Sequence, residues 1–566
     1  MSKLGVFVFV TAFFTLESYI FLVSRGSIVP DFIFWVGVSA MLGVFLAQAY
    51  SFIRTPPWIL KIEMLVIILA FSYLYIALTP SFVLGYDSNF TVGSSAAIFE
   101  KGWPLDQTVY SSSVRLLSNW PGLSLLSGSV HSVSGMDWQS MMQLLPPLIY
   151  SLVGISTYLL VRKGLGLSDE ISVGVGALVP LTYGMAILNG LSNSGLGISL
   201  LIFVMYLLCK NRQRRQLRFS FLAAVVITAI VVSHHLTTFY LLLILLFFFA
   251  VDLLASRGYR RSISGNAIQE TSSVFWVSGP ILAYSVVLVF VFWSFVGSIV
   301  LELVLRGFLG VVTVQVNSAP TSFFSNPTWA ASVLIDGGIA VCCAVIILRN
   351  HRDKATRVDK GWPMFLFAST LLGTVILGGR IRGAITEFAR GTGLAYGFLL
   401  ASFHYSYGAH YRRAGAIAIL TLLLMLTYGV NQVNRMDTQW GLVHPWEKPA
   451  YSNKDAQGGF IRNQELEAVL WLRTDRPVIG DQIVYSLAAW NNLDVRIIPE
   501  FYEGNISSAG SADWFIFRDV NLEFVFCPYQ SHDNFGISPA TLEFLNESAS
   551  KVFDDGGSEI FRIADD

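Results

Sequence analysis

Four clusters of polar residues stand out in a chain of 566 residues that is 54% hydrophobic and only 13% charged. The first is Leu84-Gly85-Tyr86-Asp87-Ser88-Asn89, just beyond a long apolar run. A carboxylate at such a boundary can act as a general base toward a hydroxyl. Asp and Ser are also good N-cap residues ahead of a helix over 90–101, which is the structural alternative. The second cluster is Ser233-His234-His235-Leu236-Thr237-Thr238. Adjacent histidines point about 100° apart on a continuous helix, so a shared metal there needs a broken helix. A pair of interfacial histidines contacting no ligand is the alternative. The third is Arg380-Ile381-Arg382 with Glu387 and Arg390. Guanidinium forks match phosphate oxygens; the alternative is a solvated loop resting on lipid headgroups, with Glu387 neutralising one arginine. The fourth holds Trp103, Arg115 and Asn119-Trp120-Pro121-Gly122 among Leu116, Leu117, Leu123, Leu125, Leu126 and Val130. Its spacing fits helices lying in a membrane interface, and packing is the favoured reading for it and for 301–315, which carries Glu302 and Arg306.

The elements that must position these clusters are transmembrane helices. A soluble protein is about 25% charged, and a mean hydropathy of +0.59 excludes a water-facing surface for the whole chain as well as disorder. The 37 basic and 37 acidic residues cancel, so global charge points to no nucleic acid. Cys209, Cys342, Cys343 and Cys527 have neither disulfide nor zinc spacing. At about 20 apolar residues per span, roughly thirteen spans are expected. They lie near 5–24, 32–53, 59–79, 141–162, 171–188, 193–209, 218–234, 236–256, 274–299, 329–348, 363–379, 391–408 and 414–431. The first carries Glu17 with no small-residue cleavage site behind it, the pattern of an anchor.

A cytoplasmic N-terminus puts roughly twenty basic residues in the inner loops against about seven outside, as the positive-inside rule requires. All four polar clusters then fall on the outer face, as do the sequons at Asn89, Asn505 and Asn546. A long outer connection spans 80–140. From 432 onward short strand-like runs at 478–480, 495–498, 514–517, 524–526 and 559–563 alternate with amphipathic helices at 464–472 and 539–550. The expected fold is therefore a polytopic α-helical membrane domain over 1–431 followed by a small extracytoplasmic α/β domain over 432–566. There is no Walker loop, no GxGxxG ahead of a helix, no HExxH and no GxSxG. Few acidic residues lie inside spans, mainly Glu17, Glu63 and Asp336, which weakens an ion-driven carrier.

This pattern resembles the GT-C superfamily of integral-membrane glycosyltransferases, particularly its archaeal members. The resemblance rests on the outer loop opening at Asp87, its W-P-G turn at Trp120, Pro121 and Gly122, the S-H-H-L-T turn from Ser233, the late outer arginines and the closing α/β domain. It implies transfer of a sugar, with inversion, from a polyprenyl- or dolichyl-phosphate carrier to an acceptor outside the cytoplasm. Asp87 matches the family's catalytic residue in the first outer loop. Arg380, Arg382 and Arg390 would then grip the donor phosphate, and Tyr86, His234, His235 and Glu387 would line the substrate pocket.

Two departures refine the expectation. The long outer loop follows the third span here, where the family usually places it after the first. The WWDxG signature and an outer DxD pair are absent. A single sugar, such as mannose or another hexose, moved from a monophosphate carrier is thus expected, rather than a whole oligosaccharide from a diphosphate. No cofactor is implied; a divalent metal is compatible with the chemistry, but no spacing asks for one. The expected partners are the lipid-linked sugar, a glycan or glycoprotein acceptor (an archaeal surface-layer glycan by resemblance) and membrane lipids, with the plasma membrane as the location. The rival readings are a lipid-linked glycan polymerase or ligase, a lipid-sugar flippase or transporter, and a non-catalytic assembly subunit.

Overall fold

Long runs of Leu, Ile, Val and Phe without Pro or paired charges leave a chain little choice but helix wherever water is absent. The structure, a computed structural model, describes residues 2–24, 31–49, 55–78, 82–83, 86–103, 119–182, 193–214, 216–261, 277–296, 461–474, 476–480, 484, 493–496, 498–509, 512–518, 537–554 and 558–563. Helices occupy the apolar stretches from the first to the ninth: α1 (Ser2–Ser24), α2 (Asp31–Ala49), α3 (Pro57–Leu78), α6 (Trp138–Leu159), α7 (Asp169–Thr182), α8 (Asn193–Arg214), α9 (Leu217–Ser233), α10 (His235–Arg261) and α11 (Gly279–Phe295). Between α3 and α6 lie strand β1 (Phe82–Val83), α4 (Tyr86–Lys101) and α5 (Pro121–Ser134). The spans expected from 329 onward, and the segment 301–315, lie outside the described residues. Among the described residues, two helical stretches are long and apolar enough to cross a bilayer, Leu144–Gly164 and Asn193–Asn211, and several shorter apolar helices accompany them.

The chain divides into two compact units. One comprises Met1–Leu74, Pro147–Ile187 and Asn193–Gln432; the other comprises Tyr75–Pro146, Leu188–Ser192 and Val433–Asp566. The second unit therefore joins the first long connection to the C-terminal residues.

In the first unit, helices are apolar on both faces. On α11, Ile281, Ser285, Val289 and Trp293 are buried, while Val287, Phe290, Val291 and Phe295 are exposed. Water does not tolerate such a surface on a monomer, whereas lipid tails solvate it. Some polar groups inside this unit pair across helices. Gln48 and Glu63 are both buried, and with the Gln48 amide oriented so that its nitrogen faces the carboxylate it donates to Glu63 Oε1 at 3.0 Å. Close approach depends on glycine where α6 passes α7: a Cβ on Gly154 would lie 3.0 Å from Gly176 O. That carbonyl also lacks its usual helical donor, because the residue four places on is Pro180. Past α6, a π-turn at Leu160–Gly164 lets Gly164 sit against Cys209, where an added Cβ would meet Cys209 Cβ at 3.2 Å.

A charged cluster gathers at the start of α7. Asp169 Oδ1 accepts from Tyr158 Oη at 2.7 Å and lies 3.1 Å from Arg162 Nε and 3.5 Å from Lys61 Nζ. Partial burial pushes the Asp169 carboxyl up, but the hydrogen bonds from Tyr158 and Arg162 and the charges of Lys61 and Arg162 outweigh it and hold the group below the usual carboxylate range.

In the second unit the C-terminal residues form β2 (Ile461–Arg462), α12 (Asn463–Trp471), β3 (Val478–Ile479), β4 (Val495–Arg496), α13 (Pro499–Tyr502), a 3-10 turn (Ile506–Ala509), β5 (Trp514–Arg518), α14 (Pro539–Ser548), β6 (Ala549–Asp554) and β7 (Ser558–Ile563). Five strands make one sheet in the order β4-β3-β5-β7-β6. The β4, β3 and β5 strands run parallel, and β7 and β6 close the sheet antiparallel. One face packs on Phe501, Tyr502, Phe515, Phe517 and Phe561, with the Phe501 and Phe515 rings 5.2 Å apart. The other buries Ile516 and Ile560 against Val469 of α12 and Leu472 just beyond it. The Thr541 hydroxyl donates to Phe501 O at 2.6 Å, tying α14 to α13. The expected run at 524–526 lies outside the described residues. The helix expected over 539–550 stops at Ser548, and β6 follows it. This strand went unread because its residues, Ala-Ser-Lys-Val-Phe-Asp, are mostly exposed and carry no clean alternation; pairing with β7 decides it.

Two outcomes follow from this packing. Phe515→Ala should cost about 3–5 kcal/mol, the usual range for an emptied aromatic core site, read as lost hydrogen-exchange protection in β5 and β7. The Asp169 network stabilises the fold above the usual carboxylate range, and that contribution is lost as pH falls through the lowered folded-state value. Asp169→Asn should therefore melt below wild type at neutral pH, and the gap should close on acidification, measured by thermal scans of the detergent-solubilised protein.

Candidate functional site

Asp87 and Tyr86 lie in the first turn of α4. A carboxylate there is favoured by the positive end of the helix dipole. Two features fix the backbone at this point. Upstream, β1 pairs antiparallel with β2, with Phe82 opposite Arg462 and Val83 opposite Ile461. Downstream, α4 is held along its length: Val92 joins the core formed by Ala468, Val469, Leu472, Val478 and Ile516. On its other side α4 meets α5 through small polar residues. Ser94 Oγ and Ser124 Oγ are 2.7 Å apart, and so are Ser95 Oγ and Ser127 Oγ. All four serines are buried, where a hydroxyl without a partner would be costly. Gly128 completes the seam, since a Cβ there would press on the Phe99 ring at 3.1 Å.

The W-P-G turn explains the start of α5. Trp120 sits at the N-cap with Pro121 in the first helical position, where its fixed φ and missing N–H cost nothing. Trp120 is buried. At the far end of α5, His131 stacks on Trp138 with ring centroids 4.2 Å apart. The described part of the fourth cluster, 119–130, thus packs against α4 through Ser124 and Ser127, while Arg115, Leu116 and Leu117 lie outside the described residues.

The histidine turn belongs to the first unit. His234 adopts an extended conformation, φ −159° and ψ 121°, so α9 ends at Ser233 and α10 begins at His235. This one residue closes both helices. Its N–H donates to Ile230 O at 3.0 Å, and its carbonyl accepts from Thr238 N at 3.0 Å and from Thr238 Oγ1 at 2.9 Å. Its ring caps α10: Thr237 N donates to His234 Nδ1 at 3.3 Å, with Thr237 Oγ1 2.8 Å from the same nitrogen. The break brings the two imidazoles together, with centroids 5.0 Å apart and planes at 50°. The condition for a shared metal is met in outline but fails in chemistry. Because His234 Nδ1 accepts, the proton of the neutral ring is on Nε2, and a metal-binding imidazole normally donates through its other nitrogen. Among the described residues no three His, Cys, Asp or Glu side chains cluster. The turn is built for hydrogen bonding.

Helix α8 seats this turn. A Cβ added to Gly197 would lie 2.7 Å from Thr237 Oγ1, 3.0 Å from Thr237 Cβ and 3.2 Å from His234 Cβ. The α8 N-terminus and the α9–α10 turn therefore share one end of the helices.

No protein-family profile matches the sequence, and no curated protein matches it. Solved structures do resemble the chain. The oligosaccharyltransferase of Archaeoglobus fulgidus in its apo form aligns at 13% identity, covering 82% of this chain and 70% of that one, with a TM-score of 0.49. The archaeal oligosaccharyltransferase AglB from Archaeoglobus fulgidus, in complex with an inhibitory peptide and a dolichol-phosphate, aligns at 13% identity over 81% of this chain and 69% of that one, with a TM-score of 0.48. The arabinofuranosyltransferase AftD from Mycobacteria aligns at 13% identity over 89% of this chain and 40% of that one, with a TM-score of 0.46.

Arg380, Arg382, Glu387 and Arg390 lie outside the described residues. Of the sequons, Asn89 falls within α4 with Thr91 buried, and Asn546 falls within α14. Asn505 precedes the 3-10 turn, exposed, with its Oδ1 accepting from Ser507 Oγ at 2.7 Å. Surface loops are where sequons are used, so only Asn505 has the expected setting. Sequence reasoning passed over Gly197 and Asn193, though the run Asn-Ser-Gly-Leu-Gly ahead of an apolar stretch signals a helix start with room for close approach.

Gly197 gives a direct check on how the turn is held. Gly197→Ala should lower stability by about 1–3 kcal/mol through overpacking, whereas Gly43→Ala, where an added Cβ meets nothing within 4 Å, should be neutral or raise it. Melting temperatures of the two variants, compared in one detergent, read the difference.

Proposed function

We propose that the chain is an inverting glycosyltransferase that moves one sugar, a hexose such as mannose, from a polyprenyl- or dolichyl-phosphate carrier to a glycan or glycoprotein acceptor outside the cytoplasm. In this reading 1–431 is the membrane-embedded catalytic domain of about thirteen spans, with its N-terminus cytoplasmic, and 432–566 lies on the outer face of the plasma membrane. An archaeal surface-layer glycan is the acceptor that the resemblance favours.

The observation that carries this reading is the backbone anchoring of Asp87. The β1–β2 pairing ends at Val83, α4 begins at Tyr86, and α4 is packed along Thr91, Val92, Ser94 and Ser95. A general base has to be held still relative to its substrate, and a first helical turn braced on both sides does that. Asp87 removes the proton from the acceptor hydroxyl as its oxygen attacks the anomeric carbon. The bond from that carbon to the phosphate oxygen breaks on the opposite side, and the lipid phosphate leaves with the electron pair. Arg380, Arg382 and Arg390 stabilise the charge that develops there, while Tyr86, His234, His235 and Glu387 contribute to the substrate pocket. The activated phosphate linkage supplies the driving force, so no nucleotide is required.

Asp87→Asn should abolish transfer of radiolabelled sugar from polyprenyl-phosphate hexoses while leaving expression and membrane insertion intact; transfer at the wild-type rate would remove the assignment. Arg380→Ala should instead raise the apparent KM for the lipid donor. A wild-type chain that moves labelled lipid across proteoliposomes without forming covalent product would point to the flippase reading.

A further inference from the structure

We infer that the N-terminal end of α8, beside the His234 turn, is an uncharged subsite for a hydroxyl-bearing ring, so that it takes a sugar and not a phosphate. The inference deepens the transferase reading and rests on it for the source of the sugar.

The deciding group is Asn193, the first residue of α8. Its side chain is 9% exposed, and its Oδ1 is fully buried with no donor reaching it. Buried carbonyl oxygens are almost always paired, so one left unpaired marks a place where something else supplies a proton. Asn193 and Gly197 are four residues apart on one helix and so share a face, about one 5.4 Å turn apart. Gly197 is the point where α8 touches His234 and Thr237. Asn193 therefore stands one turn beyond that contact, on the face that meets the histidine turn.

The side chains of this turn named next are hydroxyls and a capping imidazole. Ser194, Ser233, Thr237 and Thr238 are buried, and the Ser233 and Thr238 hydroxyls donate to Ala229 O and His234 O. His234 Nδ1 accepts from Thr237 N, which leaves the proton of its neutral ring on Nε2. An unpaired amide oxygen repels phosphate oxygens, and the phosphodiester of a lipid-linked sugar carries no O–H with which to satisfy it. A sugar hydroxyl does both jobs: it donates to Asn193 Oδ1 and accepts from a neutral N–H such as that of an imidazole. Sites built to hydrogen-bond a hydroxyl discriminate strongly because they leave a buried group unpaired without it.

The test uses the full-length chain in detergent, with saturation-transfer NMR on a panel of methyl glycosides (mannoside, glucoside, galactoside, N-acetylglucosaminide and arabinofuranoside) and inorganic phosphate as competitor. At least one glycoside should bind wild type, and phosphate should not displace it. Asn193→Leu should weaken that glycoside at least tenfold, whereas Asn193→Asp, which keeps an acceptor, should retain it. Asn193→Ser, which withdraws the oxygen but keeps a polar helix start, carries the same expectation as Asn193→Leu should the latter fail to fold. Binding of none of the panel, displacement by phosphate, or unchanged affinity in Asn193→Leu or Asn193→Ser would overturn the subsite. Sugar binding with no transfer by wild type would defeat the transferase reading and leave the subsite standing. Transfer with unaltered donor and acceptor KM in Asn193→Leu would do the reverse.

Discussion

Inside apolar surroundings every polar group has to find a partner, and this requirement shapes the described part of the chain. At the His234 turn, where one helix stops and another starts, a single residue meets it with its N–H, its carbonyl and its ring. Between α2 and α3 an amide meets a carboxylate. Between α4 and α5 two pairs of serine hydroxyls meet each other. Each pairing costs nothing in hydration that the helix interior had not already removed, and each fixes a register that apolar packing alone leaves loose. Among the described residues Trp293 Nε1 and Asn193 Oδ1 are buried without a hydrogen-bond partner, and Asn193 Oδ1 is a carbonyl oxygen.

The same economy explains why the first long connection and the C-terminal residues share a unit. Helix α4 has a polar seam toward α5 and an apolar residue, Val92, toward the α/β core. Val92 needs the apolar core, and the serine hydroxyls, once buried, need each other. The short β1–β2 ladder then ties the chain just ahead of Asp87 to the start of the C-terminal sheet region. The residue proposed as the base thus sits in an element whose position depends on a segment far away in sequence.

Much of this was legible beforehand, for stated reasons. Hydropathy marks helices over 2–24 through 279–295 because an uninterrupted apolar run cannot satisfy its backbone any other way. The strands at 478–479, 514–518 and 558–563 were readable from β-branched and aromatic residues between turn signals. β6 was not, although the Asp-Asp-Gly-Gly run that follows Phe553 is a hairpin signal. Its two carboxylate partners for Lys551, Asp554 at 2.9 Å and Glu559 at 2.8 Å, exist only once the hairpin has formed. The helix break at His234 was foreseen only as a condition for metal binding; the tautomer that turns the ring into a cap required coordinates.

By itself the sequence determined which segments are helical and apolar, which charges lie between them, and where Asp87, the histidine pair and the arginines fall along the chain. These are local properties, set by side-chain hydration and backbone hydrogen bonding within a few residues. Only the tertiary structure decided that α4 is braced by the C-terminal core, that His234 Nδ1 caps a helix, and that Gly197 lets α8 approach Thr237 and His234. Those outcomes depend on which surfaces meet, and distance in space between remote residues is not written in any local pattern.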